Sequence, residues 1–141
     1  MKNNLLFLSF LFFSAYFQAQ TYTTGVLNLS STTGLVMTAK IDVGTQVSLT
    51  FTGPSGRWFA LGFNATGMGS GNDVVTVHTA GTLTAFDASI SGYSAPSADP
   101  LQHWTITSDQ VSSGVRTVVA TRALNTGDLN DHVFTAATGS L

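Results

Sequence analysis

The chain has 141 residues, a formal net charge of −2 and no cysteine, and this length suits a single domain. Without cysteine it cannot form disulfides, cysteine–zinc sites or the covalent haem attachment that needs Cys-x-x-Cys-His. Once an N-terminal signal is removed, the chain has four basic residues and seven aspartates, which gives a net charge of −3. This charge argues against nucleic acid as a partner, because nucleic-acid binding needs a basic surface.

Residues 1–20 are typical of a signal peptide. Lys2 precedes an apolar run at 5–13, and small or polar residues follow. This run is shorter than the roughly 20 residues of a membrane span and fits a signal-peptide core. We predict cleavage near Ala19 or Gln20 and a secreted or extracytoplasmic domain, in the periplasm or at the cell surface. A retained N-terminal anchor is the alternative. No later stretch reaches membrane length, so no span is expected in the mature chain.

The mature chain predicts strands. Apolar residues alternate with polar ones in 46–51 and 114–122, which is the period of a strand. Gly53 to Gly56 is predicted to be the turn of a hairpin, and 93–100 a longer loop. Many short strands indicate an all-β sandwich or barrel. The predicted strands are 24–30, 34–42, 46–52, 57–63, 73–79, 82–87, 103–109, 114–122 and 131–136.

Signals of catalysis are weak, and we predict a non-enzyme without catalytic residues. There is no Gly-x-Ser-x-Gly elbow and no glutamate. The three histidines share no metal-ligand spacing, so each is interpreted as an ordinary strand or strand-edge residue. The oxygens of 125–131 suit either calcium or, preferably, a solvated turn. Arg122 is predicted to pair with Asp128 at the end of a strand.

One segment stands apart. The aromatic strand 57–63, which includes Trp58 and Phe63, runs into a glycine-rich loop with Met68 at its centre. Glycines let the backbone approach a ligand closely. A methionine thioether can bind haem iron axially, although simple packing is the alternative for a loop methionine.

Two stretches carry a resemblance to a known family. The first runs from 53–63 through Met68 to 73–75, and the second covers 114–128, followed by Asp131 and Phe134. Together they resemble the DOMON domain family, which includes the cytochrome domain of cellobiose dehydrogenase, over about 25–141. The resemblance implies an immunoglobulin-like, two-sheet antiparallel β-sandwich that binds haem b or sugars.

In haem-binding members of the family, a loop methionine and a downstream histidine ligate the iron. Met68 matches the methionine, whereas His132 lies too early to match the histidine. We therefore expect the DOMON-like domain, 21–141, to lack its last strands and the histidine ligand to lie beyond residue 141. Trp58 and Phe63 are predicted to pack beside the porphyrin, with packing in the core as an equal alternative for each.

The leading hypothesis is thus an exported haem b module for one-electron transfer to a redox partner protein, because two axial ligands disfavour oxygen chemistry. The alternative is a non-enzymatic carbohydrate-binding module on the same fold. For that function, Tyr93 and Trp104 are candidate stacking residues, with burial in the core as the alternative for Trp104. A structural or adhesive domain is a third hypothesis, and a hydrolase a distant fourth.

Overall fold

The computed structural model describes residues 20–69, 71–78 and 86–136, and within these ranges the chain forms strands and no helix. The predicted signal peptide falls almost entirely outside the described residues. No helix in the described ranges is long and apolar enough to cross a membrane. The strands are β1 (Tyr22–Thr23), β2 (Leu27–Asn28), β3 (Thr38–Val43), β4 (Val47–Pro54), β5 (Phe59–Gly62), β6 (Asn72–Val77), β7 (Asp87–Ile90), β8 (Ser97–Ala98), β9 (Thr105–Ser112) and β10 (Val115–Arg122).

These strands build two antiparallel sheets, which confirms the predicted sandwich. The larger sheet has the order β1-β3-β4-β10-β9, with β2 also paired to β3. The smaller sheet has the order β5-β6-β7-β8. Side chains of both sheets meet in one apolar core, where the rings of Phe51 in β4 and Phe59 in β5 lie edge to face at 4.8 Å.

The predicted period of two holds along both central strands of the larger sheet. In β4 the odd-numbered residues are buried and the even-numbered ones are half-buried. In β10 the buried face carries Val118 and Ala120 but also Arg116 and Arg122. Because apolar burial stabilises a fold while an unpaired buried charge destabilises it, both arginines need partners inside the sandwich.

A turn at residues 112–114 joins β9 to β10. Ser113 and Gly114 have φ angles of 49° and 79°. Two central residues with positive φ define the two-residue turn whose twist matches that of the flanking strands. Glycine meets this requirement without strain, and the turn fixes the register between β9 and β10.

The predicted hairpin at Gly53 to Gly56 is wrong. β4 belongs to the larger sheet and β5 to the smaller one, so this segment carries the chain from one sheet to the other. The Phe59 ring lies so close to Gly53 that an added Cβ would stand 2.7 Å from it. The glycine is needed for this contact between sheets, whereas the sequence pattern suggested only a tight turn.

Other element boundaries differ from the prediction. Residues 131–136 form no strand, and Phe134 instead donates its backbone N–H to the Leu124 carbonyl at 2.9 Å. The predicted strand 24–30 is reduced to β2, and the predicted loop 93–100 contains β8. The predicted strand 82–87 falls largely on residues outside the described ranges. The short strands were missed because two residues are too few to establish a period.

Candidate functional site

Met68 lies in the loop between β5 and β6, where the sequence placed it. The Asn72 side-chain amide donates hydrogen bonds to the carbonyls of Gly67 and Gly69, at 3.1 and 3.0 Å. These two carbonyls flank Met68, so one side chain fixes the backbone on both sides of it. The Met68 side chain is 42% exposed and is therefore available to a ligand.

An open depression, here called the outer hollow, lies beside Met68 on the outward face of the smaller sheet. Its volume is about 400 Å³, within the range of small-molecule sites. Gly62 and Val74 are cross-strand partners and contribute to its floor. The lining residues are Trp58, Ala60, Gly62, Ala65, Gly67, Met68, Val74, Ile90 and Pro96. Among these side chains, the Trp58 indole N–H is the one conventional hydrogen-bonding group.

A second depression, the aromatic hollow, adjoins the first and shares Trp58 and Met68 with it. Its volume is about 370 Å³, and Tyr93, Ser94 and Ala95 complete its lining. Trp58 is 57% exposed and Tyr93 is 94% exposed. Two exposed aromatic side chains on one concave surface offer faces on which a flat ligand can stack.

Phe63 lies apart from the other two predicted cofactor-binding residues. Met68 and Trp58 share the outer hollow, whereas the Phe63 ring packs inside the sandwich, 5.8 Å from Trp104 and 5.2 Å from Phe134. The alternation along β5 explains the difference, because Phe59, Leu61 and Phe63 point inward. Trp104 is 6% exposed, so the core interpretation of this residue is confirmed and the sugar-stacking one is wrong.

Arg122 is buried among three aromatic rings, and the sequence did not predict this arrangement. The Arg122 guanidinium lies 4.8 Å from the Trp104 ring centre, 5.0 Å from that of Phe134 and 5.7 Å from that of Phe63. Arg122 also donates a 3.0 Å hydrogen bond to Asp73 and another to the His132 carbonyl. Aromatic faces and hydrogen-bond acceptors together replace the water that this cation loses on burial.

The expected pair of Arg122 with Asp128 is therefore wrong. Arg122 points inward toward Asp73 in β6, while Asp128 accepts the Asn130 backbone N–H at 2.9 Å. The Asn125 side chain accepts the Gly127 N–H in the same way. These local bonds are those of the turn predicted for 125–130, whereas Asp131 is buried rather than solvated.

Three aspartates converge on the inner side of the smaller sheet, close to Arg122. Asp73, Asp87 and Asp131 are all buried. Burial raises the pKa of Asp73, and it raises the pKa of Asp87 to about 6. His103 connects two of these carboxylates, because its Nδ1 lies 2.9 Å from Asp131 and 3.9 Å from Asp87. The aspartates are far apart in the sequence, so no local motif indicated this cluster.

The fold and the outer hollow together define a two-sheet β-sandwich domain with an open apolar surface on one sheet. The family model of the DOMON domain matches residues 32–139, and the chain belongs to this family. Searches of curated proteins and of solved structures find no match to the chain.

The outer hollow satisfies the main requirements of haem. Its lining is apolar, as a porphyrin face requires, and the half-exposed Met68 thioether is a donor that haem iron accepts. Gly62 keeps its floor low, since an added Cβ there would stand 2.9 Å from Ala65. No histidine lines the hollow among the described residues.

Proposed function

We propose that this domain binds haem b in the outer hollow, with Met68 as an axial ligand, and serves in one-electron transfer. The observation that carries the proposal is the combination of an exposed thioether with an otherwise apolar lining. A sugar site needs several convergent hydrogen-bonding side chains, and this surface offers one indole N–H. Membership of the DOMON family is consistent with haem or sugar binding, and the lining chemistry favours haem.

The residues have separate parts in this proposal. Met68 provides the sulfur donor, and Asn72 positions it by holding the carbonyls of Gly67 and Gly69. Trp58 and Ile90 contribute apolar contacts at the wall of the hollow. Haem supplies the one-electron redox chemistry when bound, and a thioether ligand tends to raise its reduction potential.

The proposal also keeps the biological setting inferred from the sequence. We infer an exported, non-catalytic module that exchanges electrons with a redox partner protein. The openness of the hollow supports this, because a partner must approach the cofactor edge for electron transfer. The net negative charge of the mature chain favours a partner with a basic docking surface.

The test is a haem titration of the purified protein followed by absorption spectroscopy in both oxidation states. We expect a shifted Soret band. Met68→Leu keeps the apolar bulk but removes the sulfur donor, so it should change the position of this band. Met37→Leu, at a methionine packed against the core, is the matched control and should behave as the wild type. No Soret shift, or identical spectra for both variants, would overturn the proposal.

Carbohydrate binding is the second candidate, and the aromatic hollow is the observation that favours it. Trp58 and Tyr93 both line this hollow and are both exposed. Stacking on a pyranose face requires the ring of Tyr93 but not its hydroxyl. Affinity electrophoresis in polysaccharide gels should therefore show retardation for the wild type and for Tyr93→Phe, but not for Tyr93→Ala. Equal mobility with and without polysaccharide would reject this candidate.

A further inference from the structure

A group of potential metal ligands lies on the inner side of the smaller sheet, away from the outer hollow. Asp87 begins β7, His103 lies just before β9, and Asp131 follows β10. One donor atom from each of the three lies within 4.8 Å of the others. Residues from three separate segments thus converge on one point.

The spacing of these donor atoms suits a small divalent ion. His103 Nδ1 lies 2.9 Å from Asp131 Oδ2 and 3.9 Å from Asp87 Oδ2. Zinc binds nitrogen and oxygen donors at about 2.0–2.2 Å in tetrahedral geometry, which separates neighbouring donors by roughly 3.4 Å. The two distances bracket this value, and all three donor atoms lie within 4.8 Å of one another. Small side-chain shifts would therefore bring three protein ligands onto one ion and leave a fourth position open.

Two buried atoms of the group have no hydrogen-bond partner among the described residues. The Asp87 side chain is 0% exposed, yet its Oδ1 accepts no hydrogen bond. His103 Nδ1 is also without a hydrogen bond, although it lies 2.9 Å from Asp131 Oδ2. Buried polar atoms are hydrogen-bonded in the great majority of cases. Asp87 Oδ2 accepts the His103 backbone N–H at 3.0 Å, so Asp87 Oδ1 and His103 Nδ1 are the atoms of the group that can still bind an ion.

The charge balance leads to the same conclusion. The carboxylates of Asp73, Asp87 and Asp131 face one guanidinium, that of Arg122, in this part of the described structure. Before His103 is counted, three carboxylates and one guanidinium leave a net charge of −2. Two uncompensated negative charges in a buried cluster destabilise the fold, because the medium around them has a low dielectric constant. One divalent cation balances them.

We propose that Asp87, His103 and Asp131 bind a divalent metal ion of the zinc class. The imidazole donor favours such an ion over Mg²⁺ or Ca²⁺, which prefer oxygen donors alone. The ion reaches the site through an open depression of about 540 Å³ lined by His103, Thr126 and Asp128. Bound there, it ties β7 and the segments before β9 and after β10 together. The proposal does not depend on haem binding.

The experiment uses the purified full chain after treatment with a chelator. Zinc is titrated by calorimetry at neutral pH, and unfolding is followed with and without one equivalent of zinc. We expect one tight site and a raised melting temperature, because a ligand that binds only the folded state stabilises it. His103→Ala should weaken binding by at least the 10–100-fold that loss of an outer-shell partner costs. The exposed His78 provides the matched control, and His78→Ala should bind zinc as the wild type does.

A second measurement keeps the proposal testable if one variant folds poorly. Cobalt replaces zinc in the wild type, and the visible d–d spectrum of the complex should disappear on competition with zinc. The proposal is overturned if zinc leaves the melting temperature unchanged or if His103→Ala binds as tightly as the wild type. Tighter binding of Ca²⁺ than of Zn²⁺ would overturn the assignment to the zinc class.

Discussion

Arg122 in β10 and Asp73 in β6 form a buried ion pair, 3.0 Å long, that connects the two sheets. The Asp73 oxygen that accepts from Arg122 also accepts the His132 backbone N–H at 2.7 Å. The Asp73 carboxylate in the smaller sheet thus binds both β10 of the larger sheet and the segment that follows β10. This pair provides the first prediction.

Arg122→Met should destabilise the fold by about 3–5 kcal/mol, because it leaves buried carboxylates without their cation. The free energy of unfolding from urea denaturation measures this effect. Arg57→Met makes the same change at an exposed position and should stay within about 0.5 kcal/mol of the wild type. Equal stabilities of the two variants would show that the buried pair contributes no more than a surface charge.

Asp109→Asn should lower stability at neutral pH by about 1–3 kcal/mol. Asp109 receives two hydrogen bonds, at 2.8 and 2.6 Å, from the buried Arg116, which also donates to the His78 carbonyl. These bonds hold the pKa of Asp109 below its ordinary value of 3.8. The folded state therefore binds the proton less tightly than the unfolded state.

The resulting pH dependence has a definite sign. The contribution of Asp109 is present above about pH 4 and is lost as the pH falls through its lowered folded-state pKa. The stability difference between wild type and Asp109→Asn should shrink accordingly in denaturation curves below pH 4. Asp42→Asn removes a more exposed pair with Lys40 and should cost less than about 1 kcal/mol. A difference that stays constant with pH would contradict the assignment.

Gly53→Ala should destabilise the domain by about 1–3 kcal/mol, the cost of overpacking a core. The added methyl would stand 2.7 Å from the Phe59 ring, where the chain crosses between sheets. Gly56 lies in the same segment, and an added Cβ there meets nothing within 4 Å. Melting temperatures of the two alanine variants compare the positions directly. A lower melting temperature for Gly56→Ala would show that space at Gly53 is not the deciding factor.

Phe63→Ala should cost about 3–5 kcal/mol, as expected for a large buried ring, whereas Trp58→Ala should change stability by less than about 0.5 kcal/mol. The difference follows from their exposure, 6% for Phe63 and 57% for Trp58. Haem titration then separates their roles. Phe63→Leu, which keeps most of the core volume, should retain the haem spectrum of the wild type, while Trp58→Ala should weaken haem binding. The opposite pattern would assign the cofactor contact to Phe63.

The strands could be predicted because their signals are local, whereas the choice of a sandwich over a barrel came from the family resemblance. The alternation in β4 and β10 follows from the period of a strand, and the turn before β10 follows from its serine and glycine. Of the three residues predicted to contact a cofactor, Met68 and Trp58 line one depression, whereas Phe63 lies in the core. These features depend on residues that lie within a few positions of one another.

The remaining features depend on contacts between distant segments. β4 pairs within the larger sheet and β5 within the smaller one, so Gly53 lies in a crossover between sheets rather than in a hairpin. The approach of Asp87, His103 and Asp131 follows from the packing of three segments and leaves no spacing to recognise. One signal was nevertheless present. Arg122 falls on the same face of β10 as Val118 and Ala120, so it required a buried anion in the other sheet.

The contact between Asp73 and His132 joins positions 59 residues apart in the chain. A contact of such long range can form only after a large loop has closed, so we expect it to be absent from the folding transition state. Substitutions at Asp73 should then accelerate unfolding and leave the folding rate nearly unchanged. The lifetime of the native state, rather than the speed of reaching it, is what this contact governs.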